Sequence, residues 1–390
     1  MHGTTVLRRL AVTTCLVALA AGLAGCSDGP EPTGGLAIVV GAHGNMPPPS
    51  LTGKAVEARE EALVSQAYLS VVVADGEPFQ MDGAGALIAR AENGVVQKQD
   101  RERNRQAIDA MLAEARAKTP ETDLLSALDL AARGISSASG DHTIVVLDSG
   151  LSTVGPLDFT QPGLLDADPA ELATSRKNAG ELPDLTGTHV VFQGLGDTVS
   201  PQDKPRIPQR KSLIAIWTAI AEAAGAESVV VEESPLSGEP APELPPVTPI
   251  PFEDGLPCDG TTVTLTGGDV AFQADSDEFK DGAAALATLQ PIAQQMVSGN
   301  RSASLTGTTA DVDDKDGQVR LSEQRAQAVL DLLVDLGVPA DRMTAAGLGS
   351  DFAGYVKDHD AAGNLVPEKA ALNRKVDIEL AGEAGAVACN

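Results

Sequence analysis

Two hydrophobic patterns alternate along the first 234 residues. Residues 36–40, 68–74, 143–147, 190–195 and 228–231 are continuous apolar runs rich in Val and Ile, the mark of strands buried on both faces. Segments 55–66, 101–118, 123–133 and 211–224 lie between them and carry apolar residues at helical spacing. Alternating buried strands and helices predict a mostly parallel sheet covered on both faces, an α/β domain over residues 35–234.

Residues 235–257 break the pattern. Pro240, Pro242, Pro245, Pro246, Pro249 and Pro251 predict an extended, semi-rigid linker that advances about 3 Å per residue. A second domain, residues 258–390, follows. It opens with a strand over 261–272 and a helix over 282–297 whose apolar face is Leu286, Leu289, Ile292, Ala293 and Met296. Next comes a strand over 302–308. Ser322 is then a good N-cap, and Ala326, Val329, Leu330, Leu333 and Leu336 recur at helical spacing, so a helix is predicted from residue 321 or 322 to 336. Strands at 342–346 and 375–380, separated by a loop over 349–373, complete an α+β domain of order βαβαββ.

Arg325 falls in the first turn of that predicted helix, where a cation opposes the positive end of the helix dipole. Two readings follow. Either an anion such as a carboxylate shares the site with Arg325 and the free backbone N–H groups, or Arg325 pairs with Asp311, Asp313, Asp314 or Asp316 of the preceding acidic loop.

The spacing of Gly307-Thr308-Thr309, Leu321-Ser322-x-x-Arg325-Ala326 and Asn373-Arg374-Lys375-Val376 resembles the OmpA-like peptidoglycan-binding family, over residues 256–381. The resemblance implies that Arg325 grips a carboxylate of the diaminopimelate residue of a peptidoglycan stem peptide, with Thr309, Asp311, Asn373 and Arg374 around it. Two positions depart from the family. Counting back fifteen residues from Arg325, where the family carries the aspartate that holds the ligand ammonium, reaches Ala310, and Asp311 stands one residue on. Consecutive strand residues point to opposite faces. Gln318 stands where the family carries asparagine. Two functions are therefore open: non-covalent tethering of a membrane to peptidoglycan, or an envelope scaffold whose OmpA-like domain has lost diaminopimelate binding.

At the other end, Arg8 and Arg9 precede an apolar run over 10–23 that is short for a bilayer span, and Leu23-Ala24-Gly25-Cys26 closes it. This resembles a lipoprotein signal with its lipobox. The resemblance implies that residues 1–26 direct export, that Cys26 is lipidated and becomes the first mature residue, and that 27–34 tether a chain anchored on the extracytoplasmic side of the envelope. Cys15 then leaves with the signal and Cys26 is acylated, which leaves Cys258 and Cys389, one on each flank of the second domain, to form a disulfide in an oxidising compartment.

Composition removes other classes. A net charge of −27 over 390 residues argues against nucleic acid, and 3% aromatic residues argue against a stacking surface. In the first domain, Asp148-Ser149-Gly150-Leu151-Ser152 and Thr122-Asp123 loosely resemble the later metal-site positions of a von Willebrand factor A domain. That family needs Asp-x-Ser-x-Ser after its first strand to supply hard oxygen ligands, whereas Gly41-Ala42-His43-Gly44-Asn45 supplies no carboxylate. The domain reads as a degenerate member without metal, and Thr122 as a helix N-cap. Asp148-Ser149 with His142 or His189 lacks a G-x-S-x-G elbow, and His43 reads as polar loop surface. No enzyme, metal or cofactor is expected, and the first domain is left with a protein partner.

Overall fold

The apolar runs pair side by side because each has two faces to bury. In the computed structural model of the chain, which describes residues 33–89, 93–252, 256–312 and 314–382, the first sheet contains β1 (Thr33–Gly41), β2 (Tyr68–Ala74), β3 (Phe79–Gln80), β4 (Gly85–Ala86), β5 (Ser139–Leu147), β6 (Thr188–Gln193) and β7 (Ser228–Glu232). Their order is β3-β2-β1-β5-β6-β7, with β4 also on β2. The long strands are parallel, and the short β3 and β4 run antiparallel to β2. Neither short strand carries enough pattern to be seen in sequence.

The alternation inside β1 divides the two cores. Leu36, Ile38 and Val40 face α1 (Gly53–Ser65) and α2 (Gly94–Glu114), while Ala37 and Val39 face α3 (Leu124–Ile135), α4 (Pro169–Ala179) and α5 (Ile207–Ala223). Helix α2 starts seven residues before its expected position, capped by Asn93. The cap of α3 is Asp123, which accepts from the N–H of Ser126, and not Thr122. Helix α4 was not expected. Asp168 caps it by accepting from the N–H groups of Ala170 and Glu171, Pro169 opens it, and Gly180 ends it at φ +72°.

The proline-rich segment does not span a gap. Residues 235–252 form no helix or strand and turn at residues 242–243, and Leu236, Val247, Ile250 and Phe252 are buried, with Ile250 and Phe252 joining the core of the first lobe. Backbone groups fasten it as well. The Leu236 N–H donates to Asp197 (2.8 Å), the Ile250 N–H to the Gln202 side chain (2.7 Å), and the Gly44 N–H to the Pro245 carbonyl (2.9 Å).

The second sheet has the order β11-β10-β12-β9-β8, built from β8 (Cys258–Asp259), β9 (Thr262–Leu265), β10 (Ser302–Gly307), β11 (Met343–Gly347) and β12 (Val376–Ala381). Only β10 and β11 are parallel. Leu289, Ile292 and Met296 of α6 (Gly282–Ser298) and Ala326, Val329 and Leu333 of α7 (Lys315–Asp335) cover one face of it. Leu286, expected on the buried face of α6, is 42% exposed. A helix, α8 (Pro367–Asn373), ends the stretch expected to be loop. The described residues from 33 to 382 form one compact unit, with the two sheets as its lobes.

The start of α7 corrects the sequence reading. Asp314, not Ser322, is its cap and accepts from the Gly317 N–H (2.9 Å). Ser322 lies two turns in, fully buried, its hydroxyl donating to the Val319 carbonyl. It marks the place where α7 rests directly on strand backbone. A Cβ on Gly307 would stand 2.0 Å from the Ser322 carbonyl oxygen, and one on Gly347, its partner in β11, 2.3 Å from the Glu323 nitrogen. Arg325 is therefore well inside the helix, away from the positive end of its dipole.

Candidate functional site

The second lobe holds the predicted binding residues in two separate groups. In the first, β10 runs out through Thr308, Thr309 and the fully buried Ala310 to Asp311. The Asp311 carboxylate accepts from Lys315 Nζ (2.7 Å), Gln318 Nε2 (3.0 Å) and Ser350 Oγ (3.3 Å). The Lys315 and Gln318 bonds hold its carboxyl below the usual range. Thr309 donates its N–H to the Gly349 carbonyl (2.9 Å), and its buried hydroxyl has no partner among the described residues.

Beneath Asp311 lies Asp358, which the sequence reading missed because it sits in the stretch taken for loop. It is fully buried and accepts from Tyr355 Oη (2.5 Å), the Asp311 N–H (2.9 Å), His359 Nδ1 (2.9 Å) and Asn373 Nδ2 (3.0 Å). Burial alone would raise its carboxyl, but these bonds outweigh burial and leave it lowered. Burial and then the bond to Asp358 push the Tyr355 phenol up to about 12. Asn373 is a positioning residue in this arrangement: it is wholly buried, its amide donates also to the Val356 carbonyl (2.7 Å), and its amide oxygen accepts the Val356 N–H (2.9 Å).

The second group is cationic. Arg325 donates through Nε to the Ser276 carbonyl (2.9 Å) and through Nη2 to the Gln273 carbonyl (3.4 Å), with its guanidinium 5.2 Å from the Phe272 ring centroid. Burial first, and then the charge of neighbouring Arg374, lower its pKa to about 10, with Asp275 and Asp277 pulling the other way. It stays charged at neutral pH. Its described bonding partners are carbonyls, and no hydrogen bond joins it to Asp311, Asp314 or Asp316; Asp313 lies outside the described residues. Arg374, by contrast, already holds a carboxylate: its two terminal nitrogens donate to the two oxygens of Glu171 on α4, at 2.6 and 2.8 Å. Two guanidinia thus lie within electrostatic reach of each other, and Arg325 has no carboxylate hydrogen-bond partner among the described residues.

In the first lobe the Asp148–Ser152 loop lies against Thr122-Asp123, the Leu124 N–H donating to Ser152 Oγ (3.1 Å) and the Thr153 N–H to the Thr122 carbonyl (2.9 Å), but the two histidines do not join them. His142 and His189 lie at the starts of β5 and β6, where they bond the Ala138 carbonyl and Ser228 hydroxyl, whereas Asp148 follows the far end of β5, roughly 20 Å away along a strand. His43 is not loop surface. It is 1% exposed, burial lowers its pKa, and its Nε2 has no partner among the described residues. Asp148 is buried, and burial pushes its carboxyl up to about 6 against the bond from the Gly150 N–H. Thr122 turns its hydroxyl toward the Ala74 carbonyl. No group of three or more His, Cys, Asp or Glu fit to hold a metal occurs among the described residues. A cleft of about 450 Å³ beside the end of β1 is walled partly by Pro240, Ala241 and Leu244 of the proline-rich segment.

Cys258 in β8 is disulfide-bonded, while Cys389 and Cys26 lie outside the described residues. Among the described residues no helix is long and apolar enough to cross a membrane.

Residues 271–364 match the OmpA family model. Outer membrane protein A of Serratia odorifera is 33% identical over 120 residues, which are 29% of this chain and 49% of that protein, so the chain spans about half the length of this curated relative. Outer membrane protein A of Klebsiella aerogenes is 33% identical over 126 residues, 31% of this chain and 36% of that protein. Among solved structures, the peptidoglycan-associated lipoprotein from Burkholderia pseudomallei is 28% identical, covering 30% of this chain and 89% of its own, with a TM-score of 0.25. The cell wall anchor of the T6SS from Pseudomonas aeruginosa is 26% identical, covering 31% and 81%, with a TM-score of 0.26. The second lobe is therefore OmpA-like over residues 271–364.

Proposed function

We propose that the chain tethers a membrane to peptidoglycan, non-covalently through its OmpA-like lobe and by a lipid on Cys26 at the other end. One observation carries the wall-binding half: Arg325 is a charged guanidinium whose hydrogen-bond partners among the described residues are carbonyls, within electrostatic reach of a second guanidinium, in a chain of net charge −27. A free carboxylate of a diaminopimelate stem peptide is the anion such a site takes in an OmpA-like domain. The phenyl face of Phe272 and the carbonyls of Gln273 and Ser276 hold the guanidinium in place, so little side-chain entropy is lost on binding. In a pull-down on purified cell wall, Arg325→Ala lowers the bound fraction at least tenfold while the fold survives, as expected for loss of a charge-assisted bond of about 1.5–3 kcal/mol. Equal binding by the two forms sinks the reading.

A second reading, an envelope scaffold that has lost diaminopimelate binding, is favoured by one observation. Asp311 is already neutralised by Lys315 and bonded by Gln318 and Ser350, and Ala310 at the family's aspartate position is fully buried. Under either reading we take the first lobe as a von Willebrand-A-like module that engages a protein partner without a cation.

A further inference from the structure

The two lobes touch at Arg374. Helix α4 of the first lobe lies against α8 of the second, and Glu171 in the first turn of α4 places both carboxylate oxygens on Arg374. Its neighbours fix that approach. Arg176 on α4 pairs with Glu368 on α8 (3.1 Å), and Asp168, the cap of α4, with Lys280 (3.0 Å). Asp166 accepts from the Gly268 N–H (3.0 Å) and the Thr266 hydroxyl (3.1 Å). Gly163, at φ +83°, passes so close to α8 that a Cβ would stand 2.1 Å from the Glu368 carbonyl oxygen.

We propose that Glu171 is a built-in surrogate for the ligand carboxylate, so that docking of the first lobe and binding of a wall carboxylate compete for Arg374. Three features support this. The contact is bidentate, the geometry in which an arginine receives a free carboxylate. Arg325 lies within electrostatic reach of Arg374 and, among the described residues, hydrogen-bonds carbonyls and no carboxylate, so Glu171 satisfies one of the two cations and leaves the other without a hydrogen-bonded carboxylate. The ties nearest the contact are ion pairs between partly exposed groups, screened by salt, with Ala371 the one α8 side chain in the first-lobe core, while the Arg206–Asp269 pair (3.1 Å), whose carboxylate is buried, joins the lobes elsewhere. Such a contact is closed at rest and releasable by a stronger carboxylate, which makes the OmpA-like lobe a regulated anchor whose affinity depends on the posture of the first lobe.

The inference rests on the reading of Arg325 and Arg374 as a wall-binding site, and the test separates the two. Wall binding of the full chain is compared for wild type, Glu171→Gln, Arg176→Gln and Arg325→Ala, with hydrogen exchange of residues 169–179 followed before and after addition of a diaminopimelate-containing muramyl tripeptide. Competition predicts that Glu171→Gln and Arg176→Gln each raise wall affinity, Glu171→Gln by about fivefold, equivalent to about 1 kcal/mol. It also predicts that the tripeptide speeds exchange in α4 of the wild type. Binding that depends on Arg325 but is unchanged or weakened by Glu171→Gln, with α4 exchange indifferent to the tripeptide, overturns the competition and leaves the site intact. Failure of every form to bind, the unlatched Glu171→Gln included, removes the site and the competition with it.

Discussion

Replacing Asp148 with asparagine should stabilise the first lobe at pH 8 and leave it nearly unchanged at pH 4. Asp148 is 1% exposed at the end of β5, its Oδ1 accepts the Gly150 N–H at 2.7 Å, and burial raises its carboxyl from 3.8 to about 6. Because the folded value lies above the unfolded one, the native state holds the proton more tightly between those two pH values, so stability falls as pH rises through that window. Above pH 6 the penalty is complete. The shift corresponds to about 3 kcal/mol at 1.36 kcal/mol per unit, an order-of-magnitude figure. Asparagine cannot ionise and keeps an oxygen for the Gly150 N–H, so the variant should gain up to about 3 kcal/mol over wild type at pH 8 and about zero at pH 4. Trp217 reports the result directly: it is the chain's one tryptophan, fully buried, and its indole N–H donates to the Gly150 carbonyl at 2.8 Å. Urea unfolding followed by its fluorescence at both pH values provides the measurement. A difference between variant and wild type that does not change with pH would refute the argument.

Gly347→Ala drives a Cβ against the Glu323 nitrogen and the Val319 carbonyl, 2.3 and 2.4 Å away, and should destabilise the second lobe by about 3 kcal/mol; a thermal transition equal to wild type contradicts the close packing of α7. Cys389→Ser should lower the unfolding temperature of the second lobe, since closing a loop of that length contributes up to about 5 kcal/mol in the chain-entropy model; two alkylatable cysteines in the non-reduced wild-type protein rule out the pairing. Cys26→Ser should move the chain out of the detergent phase, and unchanged partitioning disproves the lipid anchor.

What was legible in the sequence followed the strength of the local pattern. Strand β2 appears where its apolar run lies, and the alternation of buried runs with helical segments predicts the first sheet. Helix α7 shows how a good local signal misleads. Ser322 has the chemistry of a cap, but tertiary structure uses its small size to seat a helix on Gly307 and Gly347, and the true cap, Asp314, is hidden in an acidic run. Helix α4 buries only Leu172 and Ala173, too little for a periodic pattern, although Asp168-Pro169 and Gly180 bracket it correctly. At the site, the spacing to Arg325 was readable, whereas the Glu171–Arg374 contact joins residues 203 positions apart and has no local signal. Asp358 was missed for a similar reason: its role comes from Asn373, Tyr355 and the Asp311 backbone converging on it in space.

The proline-rich segment laid along the first lobe has a mechanical consequence. Residues 235–252, if peeled away, would extend to roughly 55 Å at about 3.1 Å per residue. Burial of Leu236, Val247, Ile250 and Phe252 resists peeling by about 1.5–3 kcal/mol per side chain. Separating the lobes would therefore require breaking the α4–α8 contact and then peeling this segment before the chain could lengthen. A chain built this way behaves less like a spring than like a folded strap that gives once.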